Sequence, residues 1–266
     1  MHFGGRRCAA FIIGEEEEEL ALYAIGDLHL HFNSELKSRM QMKERVWRDR
    51  DKKLERHCRS LRDDDVLMLL GDHSWGRNLE QAGPDLDFIA ALPGRKVLTR
   101  GNHDMFWTSK NTDELNRAYA GKLTFLQNSY IPYGDYALVA SKGYCFEGPF
   151  YLDGRGEIIG WDEKSAYEGK ELTEREIKRL RLGFDAARTD GYKKFIMFLH
   201  FPPTDILEDE SDFTRLAEEQ GVSQVVYAHV HGSGHFSECL KGDFHGIKYS
   251  LASGDYLKWR PLKVLD

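Results

Sequence analysis

Leu98-Thr99-Arg100-Gly101-Asn102-His103-Asp104 is the stretch on which the reading of this chain turns. A short apolar run, Val97-Leu98, leads to a glycine, and three side chains able to bind a metal or move a proton follow at once. A buried parallel strand that delivers a loop at its carboxyl end has this form. Gly101 permits a sharp turn or a close approach to a ligand. Asn102 offers a neutral oxygen, His103 an acid or base near neutral pH, and Asp104 a carboxylate able to orient that histidine. Alone, the heptapeptide would equally suit a turn carrying a surface histidine.

The same arrangement recurs elsewhere. Leu20–Ile25 runs into Gly26-Asp27-Leu28-His29, and Val66–Leu70 into Gly71-Asp72. Phe195–Leu199 ends at His200, and Val222–Ala228 at His229-Val230-His231. Ligands gather outside the carboxyl ends of parallel strands, so these ends are expected to converge on one site. Carboxylate, amide oxygen and imidazole together suit manganese, iron, zinc or cobalt better than calcium, which favours oxygen alone.

Between these points the pattern is helical at residues 34–62, where Leu36, Met40, Trp47, Leu54, Cys58 and Leu61 recur at helical spacing. Acids are interleaved with its bases, so it reads as a solvated face rather than a phosphate-binding helix. Residues 84–92 read as a short helix begun by Pro84, and residues 112–119 as another. Thr173-Glu174-Arg175-Glu176 has the form of a capping box opening a helix that runs to about Asp190. Residues 213–220 form a further helix, stopped by Gly221. Residues 123–125, 136–140, 144–146, 157–160 and 247–252 are strand-like, with turns at Pro132 and Pro149, and the tail containing Trp259 is expected to finish a second sheet. Strands alternating with helices call for an α/β fold with right-handed crossovers.

At 266 residues, with 41% hydrophobic and 30% charged residues, the chain can bury a full core. Its net charge of -7 argues against nucleic acid as a partner but not against a small anion held by a metal. No apolar run approaches the roughly eighteen residues needed to cross a bilayer. Cys8, Cys58, Cys145 and Cys239 are scattered without metal-type pairing, which suits a reduced, cytoplasmic protein. Residues 1–19, with the run Glu15–Glu19, read as an acidic, peripheral leader, and residues 20–266 as a single domain.

The ordered set Asp27-x-His29, Gly71-Asp72, Gly101-Asn102-His103-Asp104, His200 and His229-x-His231 resembles the calcineurin-like metallophosphoesterase superfamily from about Leu20 to Asp255. The resemblance implies a four-layer β-sandwich of two mixed sheets flanked by helices, with two divalent transition-metal ions at one edge, manganese favoured. Carried over motif by motif, Asp27, His29 and His231 would hold one ion and Asn102, His200 and His229 the other, with Asp72 bridging. Ala228 stands where the superfamily usually has glycine. The second motif lacks the Asp-Arg pair of phosphoprotein phosphatases, and the third ends in Asp104 where they carry glutamate.

The implied activity is hydrolysis of a phosphate monoester or diester by hydroxide held between two metals. His103 would protonate the leaving oxygen, with Asp104 holding its tautomer. Arg100 and His73 are candidate substrate contacts, and His31 stands beside the first motif. Trp75, Trp107 and Trp161 are candidates for an aromatic wall, and the stretch between Asp104 and His200 has room for a cap over the site. The competing readings are a scaffold that keeps the fold without the chemistry and a metal-dependent nuclease. Every expected ligand position is occupied by a competent residue, which weighs against the scaffold. No residue bears on oligomeric state.

Overall fold

Val66-Leu67-Met68-Leu69-Leu70 is buried at every position, so both faces of this strand must be covered. The computed structural model describes residues 20–33, 45–108, 110–144, 150–152, 158–161, 163–204 and 210–266. In chain order its elements are β1 (Leu22–Ile25), α1 (Arg50–Cys58), β2 (Val66–Leu70), α2 (Leu79–Ala91), β3 (Arg95–Thr99), α3 (Thr112–Ala118), β4 (Leu123–Leu126), β5 (Ser129–Tyr133) and β6 (Tyr136–Ser141). There follow β7 (Phe150–Leu152), β8 (Ile158–Trp161), α4 (Glu163–Thr189), β9 (Lys194–Leu199), α5 (Asp212–Gln220), β10 (Val222–Tyr227), β11 (Gly242–Phe244), β12 (Ile247–Leu251) and β13 (Leu262–Leu265).

One sheet has the order β13-β1-β2-β3-β4 and the other β11-β12-β10-β9-β6-β5, while β7 and β8 form a separate pair. In the first sheet β1 to β4 are parallel and β13 is antiparallel to β1. In the second β6, β9, β10 and β12 are parallel, with β5 and β11 antiparallel at the edges.

The twofold alternation of a strand builds the layers. Val66, Met68 and Leu70 of β2 pack with Leu138, Ile196, Phe198 and Val226 between the two sheets. Leu67 and Leu69 pack the other way, with Leu54 and Cys58 of α1, Leu86 and Ile89 of α2 and Leu115 of α3. The second sheet mirrors this: Phe195, Met197 and Leu199 of β9 join Leu180 and Phe184 of α4 and Phe213 and Leu216 of α5. The result is helices, sheet, sheet, helices, the α/β sandwich of two mixed sheets that the motif order implied.

Several boundaries differ from expectation. The second helix begins at Leu79, not Pro84, because the Asn78 side chain accepts the Gln81 N–H and caps it, leaving Pro84 inside. The fourth begins at Glu163, and buried Thr173 lies within it. There Glu176 turns sideways to accept from Ser141 Oγ (2.7 Å) and Arg179 (2.5 Å) rather than closing a cap. Pro132 lies in β5, at the sheet edge where a missing N–H is tolerated. Tyr144 is not in a strand, and residues 145 and 146 fall outside the described residues, as do 1–19 and 34–44. The tail completes the first sheet, not the second, through β13. Within the stretch between Asp104 and His200, β4, β5, β6 and α4 join the main layers, while β7 and β8 pair with each other outside the two sheets. Among the described residues no helix is long and apolar enough to cross a membrane.

Met68 is fully buried between the sheets, whereas Leu182 is 62% exposed. Met68→Ala is expected to cost about 2–5 kcal/mol in urea denaturation, the usual result of a core cavity. Leu182→Ala should cost under about 0.5 kcal/mol.

Candidate metal centre

Parallel pairing puts the carboxyl ends of β1, β2 and β3 on one edge, and those of β9 and β10 on one edge of the other sheet. Hydrogen bonds join the two edges. Gly26 N–H donates to Ala252 O (2.8 Å), His229 N–H to Asp27 Oδ2 (2.8 Å), and His200 Nδ1 to Leu70 O (2.9 Å). Asp27, His29 and His231 thereby form one group, and Asp72, His200 and His229 another, with the offered atoms of each group within 4.8 Å of one another. Asn102 belongs with the second, its Oδ1 lying 2.6 Å from His200 Nε2. Asp72 faces both groups, with Oδ2 3.7 Å from His29 Nε2 and Oδ1 3.5 Å from His200 Nε2.

The donor chemistry fits cations. A carbonyl can only accept, so His200 Nδ1 carries its proton and Nε2 presents a lone pair to another acceptor, Asn102 Oδ1. His231 Nδ1 likewise donates to Asp255 Oδ1 (3.1 Å), which sets its Nε2 3.2 Å from His29 Nε2. Asp27 Oδ1 is buried with no hydrogen-bond partner among the described residues. Burial pushes the Asp27 carboxyl above its ordinary value and Asp72 up to about 6, the latter helped by Asp104. Burial also holds His29 well down and His200 down at about 3, so both imidazoles are neutral. For His231 burial acts in the opposite sense but is outweighed by Asp27 and Asp255, which raise it to about 9. Two buried carboxylates set against imidazoles whose outer nitrogens are held by Leu70 O and Asp255 make a donor set that a divalent cation would suit, taking the place of the protons that His231 and Asp72 otherwise hold.

The backbone is bent to make this possible. Asp27 (φ 60), His29 (φ 44), Asp72 (φ 53) and His229 (φ 72) all lie in the left-handed region, which disfavours side chains. Gly101 is needed because any Cβ there would collide with Asp72 Oδ1 and N. Ala228, by contrast, is accommodated: its Cβ occupies the space that Gly26 leaves free.

Two expected roles change. Asp104 is fully buried and accepts N–H groups from Gly101 (2.8 Å), Asp72 (3.0 Å) and His73 (2.8 Å). Its Oδ2 also pairs with His73 Nδ1 at 2.9 Å, so it orients His73 and the loops rather than the His103 ring. His73 is fully buried with both ring nitrogens facing acceptors, Asp104 and Leu69 O, and is no substrate contact. His103 itself is half-buried, its Nε2 4.0 Å from Asp72 Oδ2 and its ring 4.3 Å from that of Trp75. Trp75 also stacks on His29 at 4.8 Å, but Trp107 is buried in the core, and the Trp161 side chain falls outside the described residues. Arg100 is half-buried, with a buried Nε that finds no acceptor among the described residues.

Three contributors were missed. Arg50, read as part of a solvated face, is buried and donates to the carbonyls of Leu28 (2.9 Å) and His29, clamping the first loop. Its guanidinium also meets His31 Nδ1 at 2.6 Å. Asp85 accepts from Phe32 N–H (2.8 Å) and Ser74 Oγ, bracing the first two loops. Asp255 orients His231, and its signal was present: the strand Ile247–Leu251 is followed by Ala252-Ser253 and then Gly254-Asp255.

A family model of the calcineurin-like phosphoesterases matches residues 20–233, and the chain belongs to that family. No curated protein matches it. Among solved structures, AQ665 of Aquifex aeolicus, a protein of unknown function, is 18% identical with a TM-score of 0.47, covering 92% of this chain and 96% of its own. The calcineurin-like phosphoesterase YfkN of Bacillus subtilis is 15% identical with a TM-score of 0.47, covering 93% and 85%. TT1561 of Thermus thermophilus is 10% identical with a TM-score of 0.48, covering 80% and 83%.

Burial opposes ionisation of Asp104, but His73 and the N–H groups of Gly101 and His73 outweigh it and hold its carboxyl at about 2, below the ordinary 3.8. For His73 burial works against the charged form, and Asp104 outweighs it, raising the ring above 6.5. The carboxylate therefore stabilises the fold above pH 3.8 and loses this as pH falls toward 2, whereas the imidazolium's share is full below pH 6.5 and fades above it. In urea titrations of metal-free protein, the stability advantage over Asp104→Asn should peak between those limits. An advantage that does not vary with pH would exclude the ion pair.

Proposed function

We propose that this member of the family hydrolyses a phosphate ester at a dinuclear centre held by Asp27, His29 and His231 on one side and Asn102, His200 and His229 on the other, with Asp72 shared. The observation that carries the reading is Asp72, with one carboxylate oxygen toward each group of inward-facing lone pairs. Two divalent ions bound there would supply a nucleophilic hydroxide at neutral pH and charge stabilisation for the phosphoryl oxygens. The mixed oxygen and imidazole donors suit manganese, iron, zinc or cobalt, and the resemblance favours manganese.

The residues of the chain do the rest. Arg50, Asp255 and Asp104 fix the loops and rings so that the donors need no rearrangement. His103 stands at the open side with its backbone N–H bonded to Asp72 Oδ1 (2.8 Å), in position to give a proton to the leaving oxygen. Trp75 lies against it and offers a flat apolar surface for the leaving group. The substrate is a small phosphorylated molecule. A reducing, cytoplasmic setting goes with this reading, supported by the free thiols of Cys58 and Cys239.

The test compares bis-p-nitrophenyl phosphate with p-nitrophenyl phosphate in the presence of manganese, beside Asp72→Ala. Turnover of either that disappears in the variant supports the reading, and the preference between them separates a phosphodiesterase from a phosphatase. Metal bound without turnover of either ester would favour a scaffold. His103→Ala should retain its metal while turnover drops at least about a hundredfold. Undiminished turnover would remove His103 from the mechanism.

A further inference from the structure

The edge that carries the second group of ligands also carries cations. Lys142 follows β6, and its carbonyl accepts the N–H groups of His200 (3.2 Å) and Phe201 (3.0 Å), which fastens it to the loop that supplies His200. Its ammonium lies 5.2 Å from the centroid of the Phe201 ring, and that ring packs 4.4 Å from His229 and 5.0 Å from His200. One aromatic ring thus touches both the ammonium and the two imidazoles. Arg100 approaches from the other sheet, two residues before Asn102, whose Oδ1 meets His200.

These charges are poorly neutralised. The carboxylate of Glu176 is already engaged by Ser141 Oγ and Arg179, and Arg100 Nε is buried without an acceptor among the described residues. Burial pushes the Lys142 amine down, Glu176 opposes this, and Arg100, Arg175 and Arg179 push it further. A half-buried cation short of a counter-charge is costly, and a bound anion offsets that cost.

We propose that Arg100 and Lys142 form an anion subsite beside the second group, so that the substrate carries a second anionic group in addition to the phosphoryl group that is cleaved. Lys142 belongs to the second anion rather than to the phosphoryl group, because the Phe201 ring stands against the imidazoles that hold the reacting centre. The proposal rests on the phosphohydrolase reading and narrows its substrate class. The bland alternative is that Lys142 merely covers Phe201 by a cation–π contact.

The probe is a matched pair, phosphoglycerate and glycerol phosphate, which differ in a carboxylate against a hydroxymethyl group. Calorimetry on the manganese-loaded protein should show phosphoglycerate binding at least about tenfold more tightly, the effect of one charge-assisted contact. Lys142→Gln should bring the ratio of affinities to within about threefold, and Lys142→Arg should keep it, since the charge is retained. A ratio near one in the unaltered protein, or one undiminished in Lys142→Gln, would overturn the subsite. If Lys142→Gln does not fold, the ratios of the unaltered protein and Lys142→Arg decide. Equal affinities with p-nitrophenyl phosphate still hydrolysed would overturn the subsite alone. Binding of neither compound, with no hydrolysis, would overturn the phosphohydrolase reading and the subsite with it.

Discussion

A single buried carboxylate, that of Asp104, holds two of the ligand-bearing loops in one geometry. It accepts N–H groups from Gly101 in the third motif and from Asp72 and His73 in the second, and forms a buried ion pair with the His73 ring. Everything at the site that depends on Asp72 depends on this anchor, including the facing of one oxygen toward each group. Such a pair is weak support for overall stability, because desolvation offsets much of the attraction, but removing one partner strands a buried charge. Its contribution is geometric. Four site residues in left-handed backbone conformations would relax elsewhere if their loops were not held from several sides, and Asp104, Arg50 and Asp85 do the holding.

The two sheets determine where this can happen. Each is parallel where it matters, so ligand loops leave both sheets at a common edge, and the layer of Leu70, Phe198 and Ala228 beneath them is apolar and fully buried. Burial on that scale explains why the imidazoles of His29 and His200 are neutral and why Asp27 and Asp72 resist ionising. The surroundings are not symmetric. Trp47 and Trp75 pack against His29 on one side, whereas Phe201 with Lys142 lies against His229 on the other. Two indole rings therefore flank one group of ligands, and a phenyl ring with an ammonium beside it flanks the other.

Much of this was legible in the chain itself. The strand-end motifs name the residues of both groups, because the same apolar run followed at once by Asp, Asn or His recurs at five strand ends. The layer order followed from the motif order. What was not legible depends on long-range contact. His73 and Asp104 were read beside their sequence neighbours, yet each finds its partner in the other's loop, across 31 residues. Arg50 looked like one of many bases on a solvated helix until Leu28 O and His29 O came within reach of it. Local rules also misled where two applied: Pro84 suggested a helix start that Asn78 had already supplied, and Thr173 suggested a cap inside a helix already running from Glu163. Asp255 had a visible signal that went unread.

The pairing of β1 with β13 has a consequence for how the chain is made. Leu22 lies opposite Leu265, so one flank of the first strand stays unpaired until residues about 240 positions later have left the ribosome. During that interval the nascent chain carries an open, apolar strand edge of the kind that recruits stray strands, and the loop bearing Asp27 and His29 has only its β2 side to lean on. Pairing with β13 is what closes that edge of β1.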